Sequence, residues 1–375
     1  MRIVFLCGSL EPGRDGVGDY TRRLAAELAK RGHSTMIIAL NDRHISESYI
    51  GNQVSDRTLL PVLRIPTTVT NTERFELAKV WVDKFNPEWL SLQFVPFSFH
   101  PKGLSFSLAG SLAKLGAKGR WHIMFHELWV GMNSESNIKE YLWGALQQRL
   151  ILSLLKKLKP AAIHTQTKLY QLQLQRLGFK PGLLPLFSNM PVNNNSLRKA
   201  DECSTPSQLR KISLVLFAGI HSGAPAQQFA KDVAVHSNQI EEQIKLIIIG
   251  RASIEQKRWA DIWQSEGLPV EVLGELPPES VSAVFSNASA GITTTPFVLA
   301  EKSGAVAAMR EHGLPVICVS YRWTPRGINV KQVPVGIVEY PKWDIASYLS
   351  GTNGRRTASK ISDISSRFIN SLLAH

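Results

Sequence analysis

The chain is poor in cysteine and lacks long apolar runs. Only three of its 375 residues are cysteines, and Cys7, Cys203 and Cys318 are widely spaced. This usage predicts buried thiols in a reducing compartment rather than a disulfide framework. No stretch approaches about 18 uninterrupted apolar residues, so no transmembrane helix is predicted. Residues 1–8 hold too short an apolar run for a signal peptide, and a cytoplasmic location is expected.

Metal-binding and nucleic-acid-binding motifs are also missing. No cluster of His, Cys or Asp has metal-ligand spacing, so neither a metal nor a cofactor is expected. No Lys/Arg-rich tail, zinc-finger motif or RNP-like motif occurs, which argues against a nucleic-acid partner. The net charge of +13 instead favours smaller anionic partners, such as nucleotide phosphates or acidic lipid headgroups.

Strands, glycine-rich loops and helices alternate along the chain. Residues 2–7 read as a strand, which is followed by a glycine-rich loop, a helix and a second strand over residues 35–40. The same alternation restarts at Ile212–Phe217, which precedes a glycine turn. This pattern predicts an α/β protein with two mostly parallel sheets. The expected division is a first domain over 1–190, a linker over 191–207, a second domain over 208–342 and a helical tail over 343–375. Packing of that tail back on the first domain is one expectation.

The segment from Thr293 to Ile317 combines a loop, a helix and a strand. Ser303 is predicted to cap the helix, and Gly304 would let a ligand approach the backbone closely. Lys302 adds a positive charge beside the positive end of the helix dipole. Together these features are typical of an anion site that suits a diphosphate and needs no metal. An ordinary capped helix between two strands is the alternative.

Several motifs resemble those of the family 4-like retaining glycosyltransferases, which have the GT-B architecture. They are Asp15-Gly-Val-Gly-Asp-Tyr-Thr21, Phe125-His-Glu-Leu-Trp129, Phe217-Ala-Gly-Ile-His-Ser-Gly223 and Gly313-Leu-Pro-Val-Ile317. The resemblance implies two Rossmann-like domains that face a central cleft. The C-terminal domain would bind a nucleotide-sugar donor, and the N-terminal domain would bind an acceptor of unknown type. It also implies that the sugar is transferred to an acceptor hydroxyl with retention of anomeric configuration.

The resemblance suggests roles for residues of the N-terminal half. His126 would lie near the donor sugar and Glu127 near the acceptor, while Gly16, Val17 and Gly18 would face the donor phosphates. The alternatives are a strand-end histidine satisfied by nearby backbone, a solvated loop acid and a tight turn between strand and helix. Asp19 is expected to cap the following helix.

The chain departs from the family pattern in the C-terminal half. The family carries two acids in an E-x7-E motif, and alignment on Gly313 places Ala300 and Ala308 at those positions. Glu301 is one position from the first acid and is assigned to the donor sugar. Lys302 and Arg251 are the candidates to supply the missing phosphate charge. The alternative for Glu301 and Lys302 is a surface ion pair.

Two further alternatives stay open from the sequence. A non-catalytic nucleotide-sugar-binding module and a nucleotide-sugar epimerase would both be compatible with the same scaffold.

The basic amphipathic run over residues 147–160 is compatible with contact to an anionic membrane, as suits a lipid-linked acceptor. The alternative, a core-facing helix that has a solvated basic side, is the preferred interpretation.

Overall fold

The computed structural model describes residues 1–115, 119–190, 212–331, 334–342 and 360–375. The chain divides into two compact units. The first contains Met1–Pro185, Thr324–Val330 and Ile361–His375, and the second contains Leu186–Trp323 and Lys331–Lys360. The linker expected over 191–207 lies outside the described residues, as does Cys203.

An eight-stranded sheet forms the centre of the described part of the first unit. Its order is β3-β4-β2-β1-β5-β6-β7-β8, and every pair is parallel except β3 with β4. The central strand β1 is almost entirely apolar and buried on both faces, as expected when helices cover a parallel sheet. The strands are β1 Arg2–Cys7, β2 Ser34–Asp42, β3 Tyr49–Ser55, β4 Thr58–Pro66, β5 Trp89–Phe94, β6 Arg120–Phe125, β7 Ala162–Thr165 and β8 Gly182–Leu183.

Local capping signals explain where several helices of this unit begin. The Asn137 side chain accepts a hydrogen bond from the Glu140 N–H at 2.9 Å, and Thr167 accepts one from Tyr170 at 3.1 Å. The helices that follow these caps begin at Ile138 and Lys168. The helices before the second unit are α1 Gly16–Lys30, α2 Asn71–Phe85, α3 Pro96–Phe99, α4 Leu108–Leu115, α5 Ile138–Leu158 and α6 Lys168–Arg176.

The second unit contains a six-stranded parallel sheet in its described part, with the order β11-β10-β9-β12-β13-β14. Apolar helix faces cover both sides of it. Phe229, Trp259 and Trp263 pack on one side, and Phe285 and Met309 pack on the other. The elements are β9 Ile212–Phe217, α7 Ala226–Gln239, β10 Ile244–Ile249, α8 Ile254–Ser265, β11 Val270–Gly274, α9 Pro278–Asn287, β12 Ala290–Thr293, a 3₁₀ helix Phe297–Lys302, α10 Gly304–Glu311, β13 Val316–Cys318 and β14 Ile337–Glu339.

The last helix, α11 Ile361–Leu373, returns to the first unit. Ile364, Phe368 and Leu372 form its buried stripe, and the ring of Phe368 stacks on Phe5 of β1 at 6.0 Å between centroids. The described part of the tail expected over 343–375 is therefore helical, and the apolar face of this helix completes the core of the first unit. None of the helices in the described ranges is both long and apolar enough to cross a bilayer.

Strand order reverses once near the middle of each sheet. In the first sheet β1 lies between β2 and β5, and in the second β9 lies between β10 and β12. In open α/β sheets, ligands bind beyond the carboxyl ends of the strands at such a reversal. A ligand site is therefore expected at the loops after β1 and β5, or at those after β9 and β12.

Candidate functional site

The turn after β9 meets the loop after β12 at the strand reversal of the second sheet. The turn begins at Ala218, whose φ of 67° is left-handed. The backbone N–H of His221 then donates to the Thr294 hydroxyl at 2.8 Å. Since Thr294 directly follows β12, this bond fixes the two loops against each other at the edge where parallel α/β sheets bind ligands.

The loop after β12 leads into α10 as the sequence predicts. Ser303 accepts a hydrogen bond from the Val306 N–H at 3.4 Å, so the predicted cap is confirmed. Gly304 is exposed, and a Cβ built there would meet no atom within 4 Å. Packing therefore does not require a glycine at this position, which leaves the start of the helix open on that side.

Lys302 brings a positive charge to the same place. Burial lowers the pKa of His221, and the Lys302 ammonium lowers it further. This coupling puts the lysine charge near the turn after β9. A cation and the start of a capped helix therefore lie close to the turn after β9, and both favour an anion.

Glu301 interacts with a neighbouring charge on α10. Burial lowers the pKa of Arg310, and the Glu301 carboxylate acts in the opposite direction. The two positions where the family motif has acids, Ala300 and Ala308, are buried in the core beneath the sheet. A carboxylate at either place would lose its solvation.

Arg251 emerges at the end of β10 rather than at the reversal. Its Nε donates to the Glu275 carboxylate at 2.6 Å, and both side chains are more than half exposed. The structure thus places Arg251 in a surface ion pair of the kind that contributes little to stability.

In the first unit, the loop after β1 is capped by a different aspartate from the one expected. Asp15 is the N-cap of α1 and accepts from the Val17 and Gly18 N–H groups at 3.0 and 2.9 Å. Asp19 lies in the first turn, where it accepts from Gly13 and pairs with Arg22. The expectation that Asp19 caps the helix was wrong, because the helix begins four residues earlier.

The two glycines of the predicted phosphate loop have different surroundings. A Cβ at Gly18 would lie 2.5 Å from the Ser9 carbonyl oxygen, whereas one at Gly16 would meet nothing within 4 Å. Gly18 therefore permits close packing of α1 on the preceding loop. Gly16 has no such packing reason.

His126 follows β6 and is buried, and both of its ring nitrogens have protein partners. The Gln166 amide donates to Nδ1 at 2.9 Å, so the proton resides on Nε2, which donates to Gln93 Oε1 at 2.9 Å. Burial lowers the pKa of His126 to about 3. The imidazole is neutral at pH 7 and is held in one tautomer, with the Tyr20 ring edge-on to it at 4.9 Å. Glu127 follows it and is half-buried.

The hydrogen bonds continue from Gln93 across the sheet. Gln93 donates to the Ser91 hydroxyl at 2.8 Å. The Ser91 hydroxyl is hydrogen-bonded to His122 Nδ1 at 2.8 Å, and His122 Nε2 is hydrogen-bonded to His164 Nδ1 at 3.1 Å. Sequence reasoning missed Gln93 and Gln166, although a Ser and a Gln two residues apart in the otherwise apolar strand β5 were a signal for a buried polar network.

A segment distant in sequence braces the loop that follows His126. Residues 324–330, called the strap below, belong to the first unit. Arg326 Nη2 donates to the carbonyls of Asn133, Ser134 and Ser136 at 2.9–3.2 Å. The Arg326 guanidinium also lies over the Tyr141 ring at 5.1 Å. Within the described ranges, no group of three or more His, Cys, Asp or Glu side chains could hold a metal ion.

Comparison with solved structures identifies the fold. UDP-GlcNAc 2-epimerase from Methanocaldococcus jannaschii is similar over 100% of both chains, with a TM-score of 0.56 and 10% identity. HepE from Anabaena, solved in complex with UDP and glucose, is similar over 100% of both chains with a TM-score of 0.58 and 13% identity. The chain has the GT-B fold, with two Rossmann-like parallel-sheet domains.

Enzymes of different activities share this GT-B fold. The catalytic domain of starch synthase IV from Arabidopsis thaliana, bound to ADP and acarbose, has a TM-score of 0.55 and 10% identity over 100% of this chain and 99% of its own. No family model matches the present chain. No curated protein matches it significantly either. At these identities the comparisons establish the fold alone.

Proposed function

We propose that this protein is a glycosyltransferase that moves a sugar from a nucleotide diphosphate sugar to an acceptor hydroxyl. The second unit binds the nucleotide diphosphate, and the first unit binds the acceptor. The observation that supports this assignment most is the convergence of Lys302, the capped start of α10 and the turn after β9 at one strand reversal. A diphosphate matches that site in charge and in its need for backbone N–H donors.

Stabilisation of the leaving group is the main chemical contribution in this proposal. Negative charge grows on the diphosphate as the sugar–oxygen bond breaks, and the transition state resembles an oxocarbenium ion. The Lys302 ammonium and the backbone N–H groups at the start of α10 oppose that charge, so no metal is required. Glu301 is assigned to the donor hydroxyls. Retention of anomeric configuration is part of the proposal and derives from the motif resemblance.

The role proposed for His126 is positional, near the donor sugar. With a pKa of about 3 and both nitrogens bonded, its imidazole is a poor general base at neutral pH. It fixes the backbone at the carboxyl end of β6, where Glu127 begins the next loop and is assigned to the acceptor.

Binding of nucleoside diphosphates, measured by isothermal titration calorimetry, tests the anion site. Lys302→Ala and Gly304→Ala should each weaken binding of UDP or ADP at least tenfold. The alanine at 304 has room in the free protein, so its effect reports close approach of a ligand rather than misfolding. Lys257→Ala, an exposed lysine of α8, is the control and should bind as wild type does. Unchanged binding in both site variants would refute this location.

Turnover assays with a panel of donors and acceptors then distinguish the three possible functions, which are a transferase, an epimerase and a binding module. Release of nucleoside diphosphate that depends on the acceptor supports the transferase. An isomerised nucleotide sugar, formed without transfer, would identify an epimerase. Tight binding with no turnover across the panel would identify a binding module.

Contact of this protein with a membrane is proposed to be electrostatic only, through exposed lysines of α5. The apolar stripe of α5, including Ile151, Leu154 and Leu158, is buried in the first unit, whereas Lys156 and Lys157 are exposed. These lysines can attract acidic headgroups. Cosedimentation with vesicles that contain phosphatidylserine should therefore disappear at high salt, and retention at high salt would contradict an electrostatic contact.

A further inference from the structure

The first unit contains a cavity that none of the proposed site residues line. Its volume is about 350 Å³, and it lies between the start of α2, the end of α3 and the loop that leads into α4. This volume is within the range of small-molecule sites in proteins. Leu40, at the end of β2, forms part of its wall.

Arg74 places a cation in the wall of this cavity. Its Nη2 donates to the carbonyls of Thr67 and Val69 at 3.3 and 2.9 Å. Its Nε is buried and has no hydrogen-bond partner among the described residues. No ion pair joins Arg74 to any described carboxylate, and burial lowers the pKa of its guanidinium. A half-buried cation without a counter-ion is unfavourable, and an anion placed beside it removes that cost.

The remaining walls are mostly apolar and carry no acid. Phe75, Phe99 and Phe106 contribute aromatic rings, and Phe106 is 66% exposed. Ser105 has a buried hydroxyl that lacks a partner among the described residues. No Asp or Glu belongs to the described residues that line the cavity. Exposure of a large aromatic ring is unfavourable in water, and an apolar ligand body would cover it.

We propose that this cavity binds an amphiphilic anion, with a phosphate or carboxylate group at Arg74 and an apolar body against Phe106. The charge of Arg74, without an opposing acid, selects the anionic group. The aromatic wall distinguishes such a ligand from a free inorganic ion. The inference goes beyond the glycosyl transfer proposed above and stands independently of it, because the cavity contains no residue of the nucleotide site.

Octyl phosphate is a suitable probe, and its binding is measured by calorimetry below the concentration at which it forms micelles. Inorganic phosphate lacks the apolar body, and octanol lacks the charge. Both should bind at least tenfold more weakly than octyl phosphate. Arg74→Gln should weaken octyl phosphate at least tenfold, and Phe106→Ala should weaken it several-fold. Arg149→Gln removes an exposed arginine of α5 that does not line the cavity and should leave the affinity unchanged.

Several results would overturn the proposal. Octyl phosphate that fails to bind the wild-type protein at millimolar concentration excludes the site. Octanol of equal affinity excludes the role of charge, and inorganic phosphate of equal affinity excludes the apolar body. Arg74→Gln also removes the bonds to Thr67 and Val69, so circular dichroism must establish that it folds. Phe106→Ala changes only an exposed ring, and equal affinity in that variant contradicts the proposal even if Arg74→Gln is unfolded.

Discussion

Asp42 accepts a hydrogen bond from Arg64 Nε at 2.7 Å, and the carboxylate is fully buried. The same carboxylate accepts from the Ser9 hydroxyl and the Leu10 N–H at 3.1 and 3.0 Å. Arg64 Nη2 continues to Glu11 at 2.7 Å. The pair therefore anchors the loop after β1 to the ends of β2 and β4. Since this loop leads into α1, the pair also positions the start of that helix.

Removal of Asp42 should destabilise the protein strongly. Asp42→Ala leaves the buried Arg64 guanidinium without its main counter-ion, and loss of one partner of a buried pair costs about 3–5 kcal/mol. Asp56→Asn is the control, because Asp56 pairs with Arg23 at an exposed position and its loss should cost about 1 kcal/mol or less. Urea denaturation monitored by circular dichroism measures both. Equal losses of unfolding free energy in the two variants would show that the buried pair stabilises the protein no more than the exposed pair does.

The Asp42 network also makes the free energy of unfolding depend on pH. Burial raises the pKa of Asp42, but the hydrogen bonds from Arg64, His44 and Leu10 outweigh it, so the pKa lies below its ordinary value of 3.8. A lowered carboxyl pKa contributes stability that is present above pH 3.8 and is lost as the pH falls through the lower value. Asp42→Asn should therefore flatten the fall in unfolding free energy below pH 4. An unchanged acid profile would contradict this.

The buried histidines should make the protein sensitive to mild acid. Burial lowers the pKa of His122 well below its ordinary value of 6.5, that of His126 to about 3 and that of His164 to about 4. Below pH 6.5 the unfolded chain binds protons at these positions and the folded chain does not. The free energy of unfolding should thus fall by roughly 1.4 kcal/mol per pH unit for each histidine until the folded pKa is reached.

Unfolding free energies at pH 7 and pH 5 check this slope. His164→Asn removes one titrating group and should reduce the slope by about one histidine's share. His44→Gln is the matched control, because His44 is exposed, and it should leave the slope as in wild type. An identical slope in both variants would contradict the assignment.

The two glycines at the start of α1 should respond differently to alanine. At Gly18 the new Cβ meets the Ser9 carbonyl oxygen at 2.5 Å, and the required shift should cost about 1–3 kcal/mol. At Gly16 the Cβ has open space, and the change should lie within about 0.5 kcal/mol of neutral. Thermal and urea denaturation of the two variants provide the measurement. If Gly16→Ala were the more destabilising, the local geometry described here would be wrong.

The strap should loosen when Arg326 is truncated. Arg326→Ala removes three bonds to carbonyls and the contact with Tyr141. The Ser134 N–H, which donates to the Thr324 carbonyl at 2.8 Å, should then exchange its hydrogen about thirtyfold faster, as expected for a local loss of roughly 2 kcal/mol. Arg322→Ala changes an exposed arginine four residues earlier and should not alter this exchange. Unaltered protection in Arg326→Ala would show that the charge does not hold the strap.

Local signals made part of this molecule predictable from its sequence. The cap at Ser303 was visible because a short polar side chain precedes an apolar periodic run. Asp15 was missed as a cap because Asp19 is an equally good candidate in the same glycine-rich loop. The hairpin of β3 and β4 was missed as well, since Ile50, Val54 and Leu59 are exposed and do not produce the alternation typical of a half-buried strand.

Other features depend on contacts between distant parts of the chain. Arg326 and Phe368 gave no sequence signal of their partners, because those partners lie about 190 and 360 residues away at Ser136 and Phe5. A positive charge beside the start of α10 could be proposed from Lys302 alone. Its coupling to His221 required the order of strands, which brings the two loops to one edge.

The path of the strap and α11 determines how this protein can be divided for expression. The chain crosses from one unit to the other near residues 185, 323, 330 and 360. A fragment that begins at residue 186 would carry Phe368 and Arg326 without the surfaces that receive them. The complementary fragment would expose the Phe5 side of its sheet to solvent. A truncation that produces two soluble halves must therefore transplant residues 361–375 onto the first fragment and replace the strap in the second by a short loop.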